Sequence, residues 1–241
     1  MDKTDLGLKS GDIITSTLKS AAGVMPGIGP LLSEIIGSII PNQRIDRLEK
    51  FVKILDEKIG LIEIEVANCL SDDECVRLFE EAFYQASRAT SDERRSYIAS
   101  ILKNGLCGEE VKYNESIYLL KLLEELNDIE VIWLRFYLVP ILNGDKEFRS
   151  RHESILKKVI VTIGCDKNTQ VKASLQYSYK IHLKNLGLIK SHIKLSKDKM
   201  PVFDRITGEP QLSYTEISSL GRLLLRHIGF EESEDQDSRR V

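Results

Sequence analysis

The sequence predicts an all-α fold: a multi-helix bundle with an N-terminal apolar helical hairpin or arm and a small C-terminal unit that contains a β-hairpin. Three observations carry this. Apolar residues recur at three- and four-residue spacing through most of the 241-residue chain. Helix-opening sequences, Ser71-Asp-Asp-Glu74 and Asn127-Asp-Ile-Glu130, stand at the head of such stretches. Strand-like alternation is confined to the segment that follows Asn185-Leu-Gly187. Apolar residues make up 42% and charged residues 29%, which excludes wholesale disorder and fibrous repeats. The expected layout is an apolar arm at 1–41, a helical bundle at 42–165, the small unit at 166–230 and a disordered acidic tail at 231–241.

Ala21 to Ile40 has Glu34 as its only charge and is long enough to cross a bilayer. Pro26, Gly27, Gly29 and Pro30 divide it, so one continuous spanning helix is not expected. Three readings stay open: a buried helical hairpin, an interfacial segment, or a segment inserted after a trigger. Val24, Ile28, Leu31, Leu32, Ile35, Ile36, Ile39 and Ile40 are the side chains such an arm would offer a membrane or a partner. No secretory signal is expected, because Asp2 and Asp5 interrupt the basic start and no small-residue cleavage pattern follows.

Ile45, Leu48, Phe51, Val52 and Leu55 form the apolar face of a helix expected from Asn42 to Ile59 or beyond. Ser71-Asp-Asp-Glu74 opens a helix to about Ala89. Ser91-Asp-Glu opens another, carrying Ile98, Ile101 and Leu102 and stopping near Asn104-Gly105. Asn114 to Leu126 presents Ile117, Leu119, Leu120, Leu122 and Leu123. Asn127 caps the most apolar helix after the arm, with Trp133, Phe136 and Tyr137, ending around Pro140; Arg135 within it calls for a neighbouring carboxylate. A helix with Phe148, Ile155, Leu156 and Val159 follows to about Ile163.

Residues 1–150 hold 18 Lys and Arg against 26 Asp and Glu, residues 151–230 hold 14 against 6, and the tail holds 2 against 5. The basic stretch is either a docking face for the acidic half or a surface for nucleic acid or anionic lipid. In the helix at 170–186, Val171, Leu175, Tyr179 and Leu186 share one face. Lys172, Gln176, Lys180 and Lys184 share another. Gly187 is a helix stop, the alternation around Thr207-Gly208 is a hairpin, and a last helix begins at Ser218 or Ser219. This order resembles the second half of a winged-helix domain, in which the helix before the hairpin reads the major groove. The resemblance makes Lys172, Lys180, Lys184, Lys190, Lys194 and Arg205 the candidate nucleic-acid contacts, with Lys197 and Lys199 beside them.

No chemistry is signalled. Four cysteines and four histidines are scattered, without metal-ligand spacing, and suit buried thiols in a reducing cytoplasm. GVMPGIGP lacks the Lys-Ser/Thr of a phosphate loop, and no nucleophile elbow or zinc helix occurs. Glu80-Glu81, Glu109-Glu110, Glu124-Glu125, Arg94-Arg95 and Arg239-Arg240 read as solvated charge. No catalytic, cofactor-binding or metal residue is expected, and the protein is not expected to be an enzyme.

Over the whole chain, the apolar segment leading into IIPNQRIDRLEKF, then SDERRSYIASILKNGL, LLEELNDIEVIWLRFYL and ISSLGRLLLRHIGF, resembles uncharacterised bacterial proteins related to the abortive-infection Abi-alpha group. That resemblance implies a helical protein acting in phage defence and carries over no functional residues. Two functions remain. One is a non-enzymatic effector, cytoplasmic or membrane-associated, whose arm engages a membrane, a protein partner or its own copies. The other is a winged-helix nucleic-acid-binding regulator.

Overall fold

The computed structural model describes residues 45–59, 72–107, 112–139, 145–162, 164–204, 208 and 210–230. The apolar arm at 1–41 and the acidic tail therefore lie outside the described residues. The elements in chain order are α1 (Ile45–Ile59), α2 (Asp73–Arg88), α3 (Asp92–Cys107), α4 (Tyr113–Glu125), α5 (Asp128–Phe136), α6 (Lys146–Arg151), α7 (Glu153–Leu156), α8 (Lys167–Asn185), β1 (Ile189–Ile193), β2 (Leu212–Ile217) and α9 (Ser219–His227). The chain is mostly helical, with one two-stranded antiparallel sheet among the described residues. Its contacts divide it into one unit of residues 1–124 with 227–229 and another of 125–226 with 230–241. The sequence suggests a boundary at 165/166 instead.

In the first unit, α1 packs against α2 and α3. Leu48, Phe51, Val52, Leu55 and Ile59 are buried on one stripe of α1, as three-and-four spacing requires. Phe51 meets Phe83 of α2 edge-on at 5.1 Å, the arrangement favoured by ring quadrupoles. The N-cap of α2 is Asp72, whose carboxylate accepts from the Glu74 N–H at 2.9 Å. Before α3, Ser91 Oγ accepts from the Arg94 N–H at 3.1 Å. Helix α3 runs through Gly105, where a stop is expected. A Cβ there would lie 2.5 Å from Ser116 Oγ and 2.9 Å from Leu78 Cδ2, so the glycine lets α4 and α2 approach.

One expectation about charge and one about thiols are corrected here. Arg95 is buried rather than solvated: it donates to Ala89 O at 2.7 Å, satisfying a carbonyl at the end of α2, and pairs with Asp92. The hydrogen bond that Arg95 donates to Asp92 holds the exposed Asp92 carboxyl below its ordinary range. Cys75 is disulfide-bonded, whereas Cys107 and Cys165 keep their thiols and Cys107 is exposed. Four buried thiols are thus not what the fold contains.

In the second unit, α5 opens with both halves of a capping box. Asn127 Oδ1 accepts from the Glu130 N–H and Glu130 returns a bond to the Asn127 N–H, each at 2.9 Å. It ends at Phe136, ahead of the expected stop. Arg135 pairs with Asp145 at 3.0 Å and lies over the rings of Phe148 and Phe230. The single helix expected to about Ile163 is instead two short helices broken at His152, with residues 158–162 non-helical. The cause is in α8: Gln176 accepts from the Val159 N–H and donates to Ile155 O and Lys157 O. One side chain thereby replaces the helical partners that those backbone groups would otherwise have.

Asp166 caps α8, and Gly187, at φ 71°, ends it. The Gly187 N–H reaches Lys184 O and the Leu188 N–H reaches Leu183 O, the two bonds of a Schellman turn. In the hairpin Ile189 faces Ile217 and His192 faces Tyr214, with a bulge between His192 and Ile193. Ser218 then begins α9, its Oγ accepting from the Gly221 N–H and donating to Gly187 O.

Candidate interaction surface

The second unit holds the candidate nucleic-acid residues, of which Lys172, Lys180, Lys184, Lys190 and Lys194 are among the described residues. Helix α8 has 19 residues, and Leu183 is its one buried residue. Val171 and Leu175 lie one turn apart on it, as do Tyr177 and Ile181, and all four are between 37% and 58% exposed. Exposed Lys167 precedes Val171 by one turn, and exposed Lys184 follows Ile181. The expected face of Val171, Leu175, Tyr179 and Leu186 thus runs from open solvent at one end to partial burial at the other.

Beside the buried Leu183, the inward side of α8 carries polar side chains. His182 Nδ1 and the buried Glu130 Oε1 lie 2.8 Å apart, so one carboxylate both caps α5 and fastens α8 to it. Lys180 Nζ stands 4.7 Å from the centre of the Trp133 ring. Burial, and after it the like charge of Lys158, holds Lys180 below the usual lysine value. The Trp133 indole N–H is buried with no acceptor. Gln176 is committed to residues 155–159, as described above.

The candidate nucleic-acid residues therefore divide. Lys172, Lys184, Lys190 and Lys194 are exposed, Lys180 is drawn over Trp133, and Arg205 lies outside the described residues. Lys190 faces Glu216 across the hairpin. Beside it, His192 stacks on the exposed Tyr214 at 4.3 Å and bonds Glu216 at 2.8 Å. The arm residues Val24, Ile28, Leu31, Leu32, Ile35, Ile36, Ile39 and Ile40 also lie outside the described residues.

Sequence reading missed that α8 shows apolar side chains to solvent. The available signal was its weak segregation: Tyr177 and Ile181 lie to one side of Val171 and Leu175, so the four form no single narrow stripe. In the first unit, a cavity of about 230 Å³ is lined by Arg77, Glu80, Glu81, Tyr84, Ile117 and Lys121. Its two cations and two carboxylates offset one another, which gives no strong preference for either ligand charge. Among the described residues no group of three or more His, Cys, Asp or Glu could hold a metal ion. No helix among them is long and apolar enough to cross a membrane. Compared with known proteins, the chain matches no family model, no curated protein and no solved structure.

Proposed function

We propose that this is a non-enzymatic interaction protein, an effector that works by engaging a protein partner, and that α8 is an element it presents. The observation that carries the reading is a 19-residue helix with one buried residue and four large apolar side chains open to solvent. Scattered apolar side chains on a surface are ordinary, but two pairs on one helix edged by lysines suit a protein surface. Lys167, Lys172 and Lys184 select a partner whose apolar face is bordered by acidic residues. The apolar arm, Val24 to Ile40, supplies a second contact, to membrane or partner, in the same reading. Action in phage defence is the biological form that the family resemblance suggests.

The test is paired. Val171→Glu with Leu175→Glu, and Tyr177→Glu with Ile181→Glu, should leave the melting temperature within a few degrees, since the sites are exposed. Both pairs should abolish partner capture, or self-association if the partner is a second copy, as read by light scattering after size exclusion. Phage plating efficiency should move with them. Unchanged association in both variants would remove α8 from the interface.

The order helix, glycine turn, hairpin, helix supports the alternative, a winged-helix nucleic-acid binder. Exposed Lys172, Lys184, Lys190 and Lys194 could neutralise phosphates. Against it, Gln176, a side chain of α8 suited to a base edge, is spent on backbone. A salt-dependent gel shift with duplex DNA, weakened by Lys172→Glu, would favour this alternative over the protein contact.

A further inference from the structure

Beyond β1 and β2 the hairpin continues as three short extended segments. Lys194 donates its N–H to Gln211 O at 2.8 Å and accepts from the Val202 N–H at 2.9 Å, and the Gln211 N–H reaches Val202 O at 2.7 Å. Each segment is thus bonded to the other two. Ile193 faces Leu212, Leu195 faces Pro201, and Phe203 faces Pro210. Residues directly opposite share a face, and so do residues two apart along one segment. Following those two rules round the three segments puts Ile193, Leu195, Pro201, Phe203, Pro210 and Leu212 on one face. All six are exposed.

The same face is covered nearer the helices, where Ile189 and Ile217 are buried. The hairpin therefore overhangs its core with its apolar side uncovered. At the far turn Met200 is 64% exposed, and Lys197 and Lys199 flank Asp198. From 190 to 204 there are four lysines against two aspartates.

We infer that this overhang is a membrane-contact site that lays its apolar face into the interface of an anionic bilayer. Three considerations choose that occupant. Phosphodiester offers nothing to six exposed apolar side chains, whereas the headgroup–acyl boundary accepts them. Lysines at the rim can keep their stems in the apolar zone and their ammonium groups among anionic headgroups. Pro201 and Pro210 supply no N–H, which blunts the edges against a strand added from another protein. This contact is separate from the apolar stripes of α8 and stands or falls without them.

The experiment floats the full chain with vesicles of phosphatidylcholine alone and with phosphatidylserine at about 30% of the lipid, where an anionic surface attracts basic residues. Binding should be clear with the anionic vesicles and weaker without phosphatidylserine. Lys197→Glu and Lys199→Glu should each reduce it by roughly fivefold. Leu195→Glu with Phe203→Glu should reduce it at least about tenfold, with unchanged far-ultraviolet circular dichroism and melting. Should the glutamate pair melt early, Leu195→Ser with Phe203→Ser repeats the measurement. No flotation with anionic vesicles overturns the inference. So does undiminished flotation of a folded apolar-face variant, which would move the contact elsewhere, residues 21–40 included. A 20-bp duplex bound in place of vesicles and lost with Lys197→Glu, on the salt-dependent scale of phosphate contacts, would overturn it in favour of nucleic acid.

Discussion

Gly105→Ala tests how closely the helices of the first unit approach. A glycine inside a helix normally costs about 0.5–1 kcal/mol relative to alanine, so the substitution should stabilise if nothing stood nearby. Here the new methyl group would sit 2.5 Å from Ser116 Oγ, 2.9 Å from Ser116 Cβ and 2.9 Å from Leu78 Cδ2. Ordinary carbon contacts begin near 3.5 Å, and both neighbours are fully buried. Helices α3 and α4 must therefore separate by several tenths of an ångström. Overpacking of that kind costs about 1–3 kcal/mol, which exceeds the propensity gain and leaves a net loss of roughly 1–2 kcal/mol. Ser116 makes the test sharper, because its hydroxyl is buried and has no hydrogen-bond partner. Ser116→Ala should be neutral or stabilising by up to about 1 kcal/mol, since an unsatisfied buried hydroxyl is itself costly. In the double variant the loss from Gly105→Ala should shrink. Urea unfolding of the four proteins measures the coupling. If Gly105→Ala alone raises the midpoint, the packing argument is refuted.

Three other outcomes follow from the same kind of reasoning. Trp133→Ala should cost about 3–5 kcal/mol, the range for a large buried aromatic, and thermal melting will read it. Burial pushes the Tyr137 hydroxyl up to about 12. The folded state thus favours its neutral form, so the stability it contributes is intact below the ordinary value near 10 and is lost between there and about 12; Tyr137→Phe should flatten that loss in urea titrations at alkaline pH. Under non-reducing conditions, alkylation followed by mass spectrometry should label exposed Cys107 and spare Cys75 until a reductant is added.

Periodicity made the helices legible, and capping sequences made several of their starts legible, because both are local. Asn127-Asp-Ile-Glu130 closes its box with neighbours three residues away and needs nothing from the rest of the fold. Gly105 failed as a stop signal for the opposite reason: its role depends on Ser116 and Leu78, which sequence spacing does not reveal. The helix expected to Ile163 failed likewise, being undone by Gln176 from a later element. Arg95 has the look of surface charge in the sequence, since nothing nearby shows that the carbonyl of Ala89 needs a donor. At the candidate surface, the lysines of α8 were visible as residue types. Which of them face solvent was not, because Trp133 draws Lys180 away from the others.

The turn after α8 and the start of α9 are joined twice, by Ser218 Oγ to Gly187 O at 2.6 Å and by the Ser218 N–H to Leu188 O at 3.0 Å. Those bonds fasten the base of the hairpin independently of everything between Ile193 and Leu212. In hydrogen exchange the base should open only with the second unit as a whole, while the amides of the overhang open on their own. The overhang is in that sense a cassette. Its length and side chains can be rewritten, shortened or exchanged for another recognition loop, and the entropy of closing a longer one rises only slowly with its length.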